Sequence, residues 1–297
     1  MKVTEQVVEI DGTVRPIGQA PDRRIGTILR HANKLAGNDI EQVLNLQNSS
    51  GLRFGEAALR LGLVTAGDLR GALAQQYDLP QLATESDRIN SELVVAAEPL
   101  SRSAEQIRAL RTQLLIRWSG EGPACRMLAI VSPGRHDGRS YLVANLAVAF
   151  AQLGRRTLLI DGDLRRPRQQ QIFGVADKVG LSSVLSGRAG REAAVPLPEF
   201  GPLALLPAGA PPPNPVELLS RDAFQRLLFE LAQVFEVILF DTPPARVWAD
   251  AQSVAFRAGS VLMLARRNHT RLADTTRLTR QLADAGAQTV GTVCNEF

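Results

Sequence analysis

Ser132-Pro133-Gly134-Arg135-His136-Asp137-Gly138-Arg139-Ser140-Tyr141 stands between a strand-like run, Met127-Leu128-Ala129-Ile130-Val131, and a helical stretch that begins Leu142-Val143-Ala144-Asn145. A turn that leaves a strand and enters a helix aims several main-chain N–H groups and the positive helix end at one point, which suits a phosphate. Gly138, Arg139 and Ser140 occupy the places of Gly-Lys-Ser in a P-loop. Gly134, Asp137 and Tyr141 complete the set expected at a nucleotide, and Ser140 is expected to ligate magnesium. Two residues depart from the pattern. Arg139 keeps the charge but as a planar fork in place of a compact ammonium, and His136 stands where glycine is usual. Lysine occurs only at Lys2, Lys34 and Lys178, so nearly all of the 34 basic residues are arginine and Arg139 fits that drift.

Further apolar runs, TLLID, LALLP, VILFD, SVLMLA and TVGTV, alternate with helical stretches. That alternation predicts an α/β fold, a P-loop NTPase domain with a mostly parallel sheet and helices on both faces. Two of the strands end in carboxylates, at Asp161-Gly162-Asp163 and at Asp241. A buried charge without a partner is costly, so carboxylates at these strand ends point to a hydrated magnesium ion beside the loop. Asp161 and Asp241 are the expected metal-shell residues. Arg139, Asp161, Asp163 and Asp241 form the expected catalytic set, with Asp161 or Asp163 as base or metal-shell group.

The 297 residues call for two domains. The formal charge of +4 is not gathered into a basic run, which argues against a nucleic acid partner. No apolar run reaches the ~18 residues of a spanning helix, and the start of the chain lacks a signal-peptide core, so a cytoplasmic location is expected. Cys125 and Cys294 lie far apart, each flanked by strand-like sequence, and read as reduced structural residues.

Two 24-residue copies, Arg24–Gln47 and Arg53–Gln76, repeat at an offset of 29. Arg24, Gly26, Asp39, Leu44 and Gln47 align with Arg53, Gly55, Asp68, Leu73 and Gln76. Apolar residues fall at helical spacing within each copy, broken at Ala36-Gly37-Asn38 and Thr65-Ala66-Gly67, with Asp39 and Asp68 expected to start the second helices. The doubled pattern resembles the small helical (MshEN-like) N-terminal domain of type II secretion and pilus ATPases. That resemblance implies cyclic di-GMP as a ligand of Arg24, Gly26, Gln47, Arg53, Gly55 and Gln76. An arginine can fork onto phosphate or a guanine edge, and glycine admits a ligand to the backbone. Asn33, Ala57 and Ala58 depart from that family's pattern.

An N-terminal segment at 1–20, the repeat domain at 21–98, a linker and helix at 99–125 and the nucleotide domain at 126–297 make up the expected organisation. Within the linker, Ser101 caps a helix in which Glu105, Arg108 and Arg111 recur every three residues. From Glu105 onward the chain resembles the bacterial tyrosine kinase (BY-kinase) family. Glu105-x-x-Arg108-x-x-Arg111 matches its oligomerisation motif, Leu158–Arg165 its A′ element, and Ile238–Pro243 its Walker B. With the N-terminal repeat included, the likeness is to the EpsG-type chain-length-determinant tyrosine kinases of exopolysaccharide clusters. The resemblance implies ATP and magnesium as cofactors and phosphorylation of tyrosine. It also implies a homo-oligomeric ring that works with a membrane polysaccharide co-polymerase (chain-length determinant protein), held at the inner membrane through that partner. The family's C-terminal tyrosine cluster has no counterpart in Thr292-Val293-Cys294-Asn295-Glu296-Phe297, and the chain's tyrosines are Tyr77 and Tyr141. Phosphotransfer is therefore expected to reach another protein. A catalytically weak scaffold, or a cyclic di-GMP-responsive regulator of the same assembly, is the competing reading, favoured by His136, Arg139 and the missing tyrosines.

Overall fold

The computed structural model describes residues 24–76, 89–118, 126–176 and 178–296. The expected 1–20 segment, Tyr77 and Cys125 lie outside them. The chain divides into two compact units, Met1–Thr84 and Glu85–Phe297.

The first unit holds two helical hairpins, α1 (Ile25–His31) with α2 (Gly37–Ser50) and α3 (Phe54–Arg60) with α4 (Ala66–Gln76). The helices pack across the repeat, α1 on α4 and α2 on α3. Ile28, Leu29, Leu35, Val43, Ala57, Ala58, Val64 and Ala72 bury together between them. Asp39 and Asp68 sit three residues inside their helix caps. Their carboxylates reach back to the main-chain N–H of Ala36 (2.7 Å) and Thr65 (3.0 Å), which satisfies donors that a helix start leaves open.

The second unit is a seven-stranded sheet in the order β3-β4-β2-β5-β1-β6-β7. Its strands are β1 (Arg126–Val131), β2 (Thr157–Asp161), β3 (Val195–Pro196), β4 (Leu203–Leu206), β5 (Val237–Asp241), β6 (Ser260–Arg266) and β7 (Gln288–Asn295). All neighbours run parallel except the short β3 on β4. The sheet is thus mostly parallel, as the alternation of runs implies. Proline at the β3 edge removes a ladder donor where no further strand follows.

On one face lie α5 (Val94–Ala97), α6 (Arg102–Arg117), α7 (Arg139–Ala151) and α8 (Gln169–Phe173). On the other lie α9 (Leu181–Leu185), α10 (Pro215–Ser220), α11 (Asp222–Ala232), α12 (Asp250–Ala258) and α13 (Leu272–Asp284). Helix α7 is apolar nearly all round because the sheet covers one side of it and α5 with α6 the other. The residues just before α6 therefore belong to this unit: Leu93, Val95 and Ala96 are buried in its core.

Candidate active site

Strand β5 lies between β1 and β2, so three strand ends meet at one place: the loop after β1, Asp161 on β2 and Asp241 on β5. Asp161 and Asp241 are register partners. Gly162 is obligatory there, since a Cβ at that position would stand 2.7 Å from the Asp241 carbonyl oxygen.

The loop itself is braced from several sides. His136 adopts φ of 59°, a left-handed conformation that glycine takes without strain, which accounts for the residue usual at that place. Its carbonyl accepts from Arg266 Nη1 at 3.2 Å. Asp137, expected at the nucleotide, turns its carboxylate into the loop instead. One oxygen accepts from Gly134 N at 2.9 Å, the other from Thr270 Oγ1 at 2.9 Å, and Asn295 Nδ2 donates to its carbonyl. The Asp137 side chain braces the phosphate turn, because a fully buried carboxylate takes the donors nearest to it.

Arg139 is only 8% exposed. It opens α7 and folds its guanidinium into the loop, where Nε donates to the Thr242 carbonyl at 2.8 Å and Nη1 donates to the Gly134 carbonyl at 2.5 Å and to Ser132 Oγ. Burial lowers its proton affinity while Asp241, Asp137 and Asp163 support it, and a guanidinium in that setting stays charged. The positive charge is therefore held inside the loop, against the Gly134 and Thr242 carbonyls.

Asp161 and Asp241 are both fully buried. Burial pushes Asp161 well above the ordinary carboxylate range, and the Asp241 charge beside it pushes the same way. Asp161 accepts from Asp163 N (3.1 Å), Arg168 N (3.0 Å) and Gln169 N (2.9 Å). Burial raises Asp241 too, against hydrogen bonds from the Ser140 hydroxyl and Gln169 and the charge of Arg139. Asp163 accepts from Arg165 N at 3.2 Å and Arg166 N at 2.9 Å.

Sequence reading overlooked Gln169, at the start of the short α8. Its Nε2 donates to Asp241 Oδ2 at 2.7 Å and to the Ser140 carbonyl at 3.1 Å, joining the two motifs. Its Oε1 is buried and without a partner. Thr242, which receives Arg139 and donates its hydroxyl to the Ile130 carbonyl, was overlooked as well. Gln169 carries no motif of its own and Thr242 fills an unspecified place within Ile238–Pro243, so only the meeting of β2 with β5 gives them a role.

This arrangement fits a magnesium ion. Two adjacent buried carboxylates have only the Arg139 charge to offset them, a serine hydroxyl stands beside one of them, and an orphaned amide oxygen is available to a metal-bound water. Among the described residues no cluster of three His, Cys, Asp or Glu is set to hold an ion unaided. That suits a cation which shares its shell with phosphate oxygens and water.

Tyr141 is half-buried, packed against the core, and its phenol is shifted upward by burial and by Glu98 and Glu92. With Arg102, Gln106 and Ile107 of α6 and Asn295 it lines a cavity of about 510 Å³. Glu105 and Arg108 pair within their own helix at 2.9 Å, and Arg108 also donates to the Pro99 carbonyl. Arg111 turns inward, giving Nη1 to the Ala149 carbonyl at 2.9 Å. A three-residue step falls ~60° short of a full turn, so a motif at that spacing drifts round the helix instead of holding one side.

In the first unit, Arg24, Gly26, Arg30, Phe54 and Gln76 line a cavity of about 540 Å³, whereas Gln47, Arg53 and Gly55 lie outside it. Packing α1 on α4 brings the start of one copy to the end of the other. The glycines serve this packing: a Cβ on Gly26 would meet the Phe54 ring at 3.1 Å, and one on Gly55 would meet Leu69 Cδ1 at 2.7 Å.

A phosphate-binding strand–turn–helix, an arginine in the lysine place and two buried strand-end carboxylates define a P-loop nucleotide-binding domain of the kind that handles magnesium and ATP. No family model matches the chain. It is 38% identical over 178 residues to the tyrosine-protein kinase YwqD of Bacillus subtilis, covering 60% of this chain and 74% of that one. It is 32% identical over 207 residues to the tyrosine-protein kinase Wzc of Salmonella typhimurium, covering 70% of this chain and 28% of that longer protein. The kinase domain of Escherichia coli tyrosine kinase ETK superposes with a TM-score of 0.65 at 29% identity over 69% of this chain and 79% of that one. The septum site-determining protein MinD of Pyrococcus horikoshii, solved with Mg-ADP, superposes with a TM-score of 0.51 at 27% identity, over 57% and 70% of the two chains. The chain belongs to the bacterial tyrosine-protein kinase family.

Proposed function

We propose that this chain is a magnesium- and ATP-dependent protein-tyrosine kinase of exopolysaccharide assembly, with a tyrosine on another polypeptide as acceptor. The observation that carries the reading is the Asp161–Asp241 pair, buried side by side beneath Ser140 and Arg139. Burying two like charges is unfavourable, and a divalent cation at that point offsets the cost. Held by Ser140 and Asp241, a magnesium ion would supply neutralisation of the charge that develops during phosphoryl transfer. The chain's own residues do the rest. Main-chain donors of the loop hold phosphate, Arg139 supplies a fixed positive charge, and Ser140 with Asp241 orients the hydrated ion. Asp163, half-buried at the mouth, is the group placed to receive the acceptor's proton. Tyr141 is packed into the core, which favours an acceptor outside this domain.

The kinase reading predicts radiolabel transfer from ATP to a synthetic glutamate–tyrosine copolymer that requires magnesium and is lost in Asp161→Asn. Equal transfer by the variant would contradict it. The resemblance to chain-length-determinant kinases supports a membrane co-polymerase as partner and a ring through Glu105, Arg108 and Arg111.

A second function belongs to the N-terminal unit, the binding of cyclic di-GMP. Two arginines and the partnerless, buried Oε1 of Gln76 around one cavity support it. Titration calorimetry with that dinucleotide should give heat that Arg24→Ala with Gln76→Ala removes. No heat with the unmodified chain ends the idea.

A further inference from the structure

Asp250, the first residue of α12, is 1% exposed and takes no part in the chemistry described above. Its two oxygens accept from Arg165 Nε at 3.3 and 3.1 Å. The Arg165 guanidinium carbon also stands 3.8 Å from the centroid of the Trp248 ring, well inside the range of cation–π attraction. The main chain of the same arginine does something else: Arg165 N and Arg166 N both donate to Oδ1 of Asp163.

One residue thus joins two loops. Its side chain is fastened to the segment after β5, and its backbone grips the carboxylate near the start of the segment after β2. Leu164, 1% exposed, pins the second loop to the core at a single point. The direction of the Asp163 carboxylate depends on the turn that follows it. A planar guanidinium held edge-on by a carboxylate and face-on by an indole has little freedom left, which lysine could not reproduce.

We propose that Arg165 is a positioning residue for Asp163 in phosphoryl transfer, held in place by Asp250 and Trp248. The catalytic half of this inference rests on the kinase reading; the mechanical half does not. If Arg165 only neutralised Asp250, Asp163 and Trp248 would be indifferent to one another. If it is a clasp, disturbing either end is felt at the other, because coupling between two sites is reciprocal.

The chain contains two tryptophans, so protein labelled with 5-fluorotryptophan gives two fluorine signals, and Trp248→Phe assigns them. Arg165→Ala and Asp250→Asn should shift the Trp248 signal. The decisive variant is Asp163→Ala, which should shift it in the same direction with the Trp118 signal unmoved. A Trp248 signal that ignores Asp163→Ala overturns the proposal, whether or not the enzyme turns over. In turnover, Arg165→Ala should lower kcat about tenfold, as loss of a supporting group does. Its KM for Mg-ATP should stay within about twofold, since it removes no contact to the nucleotide. Combined with Asp163→Ala it should cost no more than Asp163→Ala alone. Arg165→Lys, which keeps the charge and guards against a folding defect, should recover part of the loss. An unchanged kcat in both Arg165 variants overturns the proposal. A wild-type chain without turnover would fault the kinase reading instead and leave the fluorine result to decide the clasp.

Discussion

Asp161 and Asp241 are held at some cost. A carboxylate whose proton affinity is raised by folding favours the protonated fold. The pair's own contribution to the stability of the metal-free protein is therefore fullest below the ordinary carboxylate range and is lost as pH rises through the raised values of the pair. Asp241→Asn removes one charge, and Gln169 can turn its amide so that the orphaned Oε1 accepts from the new side chain. The metal-free variant should melt a few degrees higher than wild type at neutral pH, with the difference vanishing in acid. Differential scanning calorimetry across pH checks this, and a lower melting point at neutral pH would show that the pair is not strained. Asp161→Asn is not equivalent. Three main-chain N–H groups point at Asp161, and an amide nitrogen among them would leave donors facing a donor. Residue type and strand-end position led to Arg139 and Asp241 as neighbours, and the fold brings them together. The inward turn of the Asp137 carboxylate was not legible, because spacing places a side chain in a loop without telling which way it turns. Gln169 escaped because its role depends on α8 folding back over two strand ends far apart in sequence.

At the scale of elements, α7 ties the phosphate turn to the segment that precedes α6. Asn145, fully buried, accepts from Val95 N at 3.1 Å and donates to the carbonyls of Glu92 (2.7 Å) and Tyr141 (2.9 Å). Glu92 in turn pairs with Arg168 at 2.7 Å, and Arg168 N donates to Asp161. Replacing Asn145 by alanine would strand buried main-chain groups on α5 and α7. It should destabilise the second unit by about 2–4 kcal/mol, read as a loss in urea or thermal unfolding. A loss below about 0.5 kcal/mol would mean that water takes the place of the amide. In the first unit, Asp68 is held down to about 2 by the Thr65 hydroxyl, Lys34 and Thr65 N. A depressed carboxylate contributes stability that is present above its ordinary value, near 4, and is lost as pH falls through about 2. Amide exchange in α4 should therefore quicken over that window, and Asp68→Asn should flatten the dependence; an identical acid profile in the variant would assign it elsewhere. Strands were readable because the apolar runs of a parallel sheet buried on both faces are continuous. The cross-packing of α1 on α4 was not, because each copy alone satisfies the same helical pattern and nothing in that pattern says which copy a face meets.

The whole molecule is a family kinase domain that shares its chain with a duplicated helical unit. Among the described residues no helix is long and apolar enough to cross a membrane. The proposed ring through α6 belongs to this scale. Glu105 is free to face a neighbour on 74% of its side chain, whereas Arg111 is committed to the carbonyl of Ala149 within its own chain. Glu105→Ala should therefore lower the oligomeric mass in sedimentation or light scattering and leave the melting temperature unchanged, while Arg111→Ala should lower both. Equal mass for wild type and Glu105→Ala would remove that helix from the interface. The central claim is that the loop with Arg139 in place of lysine, and the carboxylate pair beneath it, make a working magnesium–ATP site. Steady-state ATP hydrolysis by the purified chain, with and without magnesium and beside Asp241→Asn, tests it most directly. Magnesium-dependent turnover that the variant lacks is the predicted result. Hydrolysis that persists in Asp241→Asn, or none in the wild-type chain that binds the nucleotide, would contradict it.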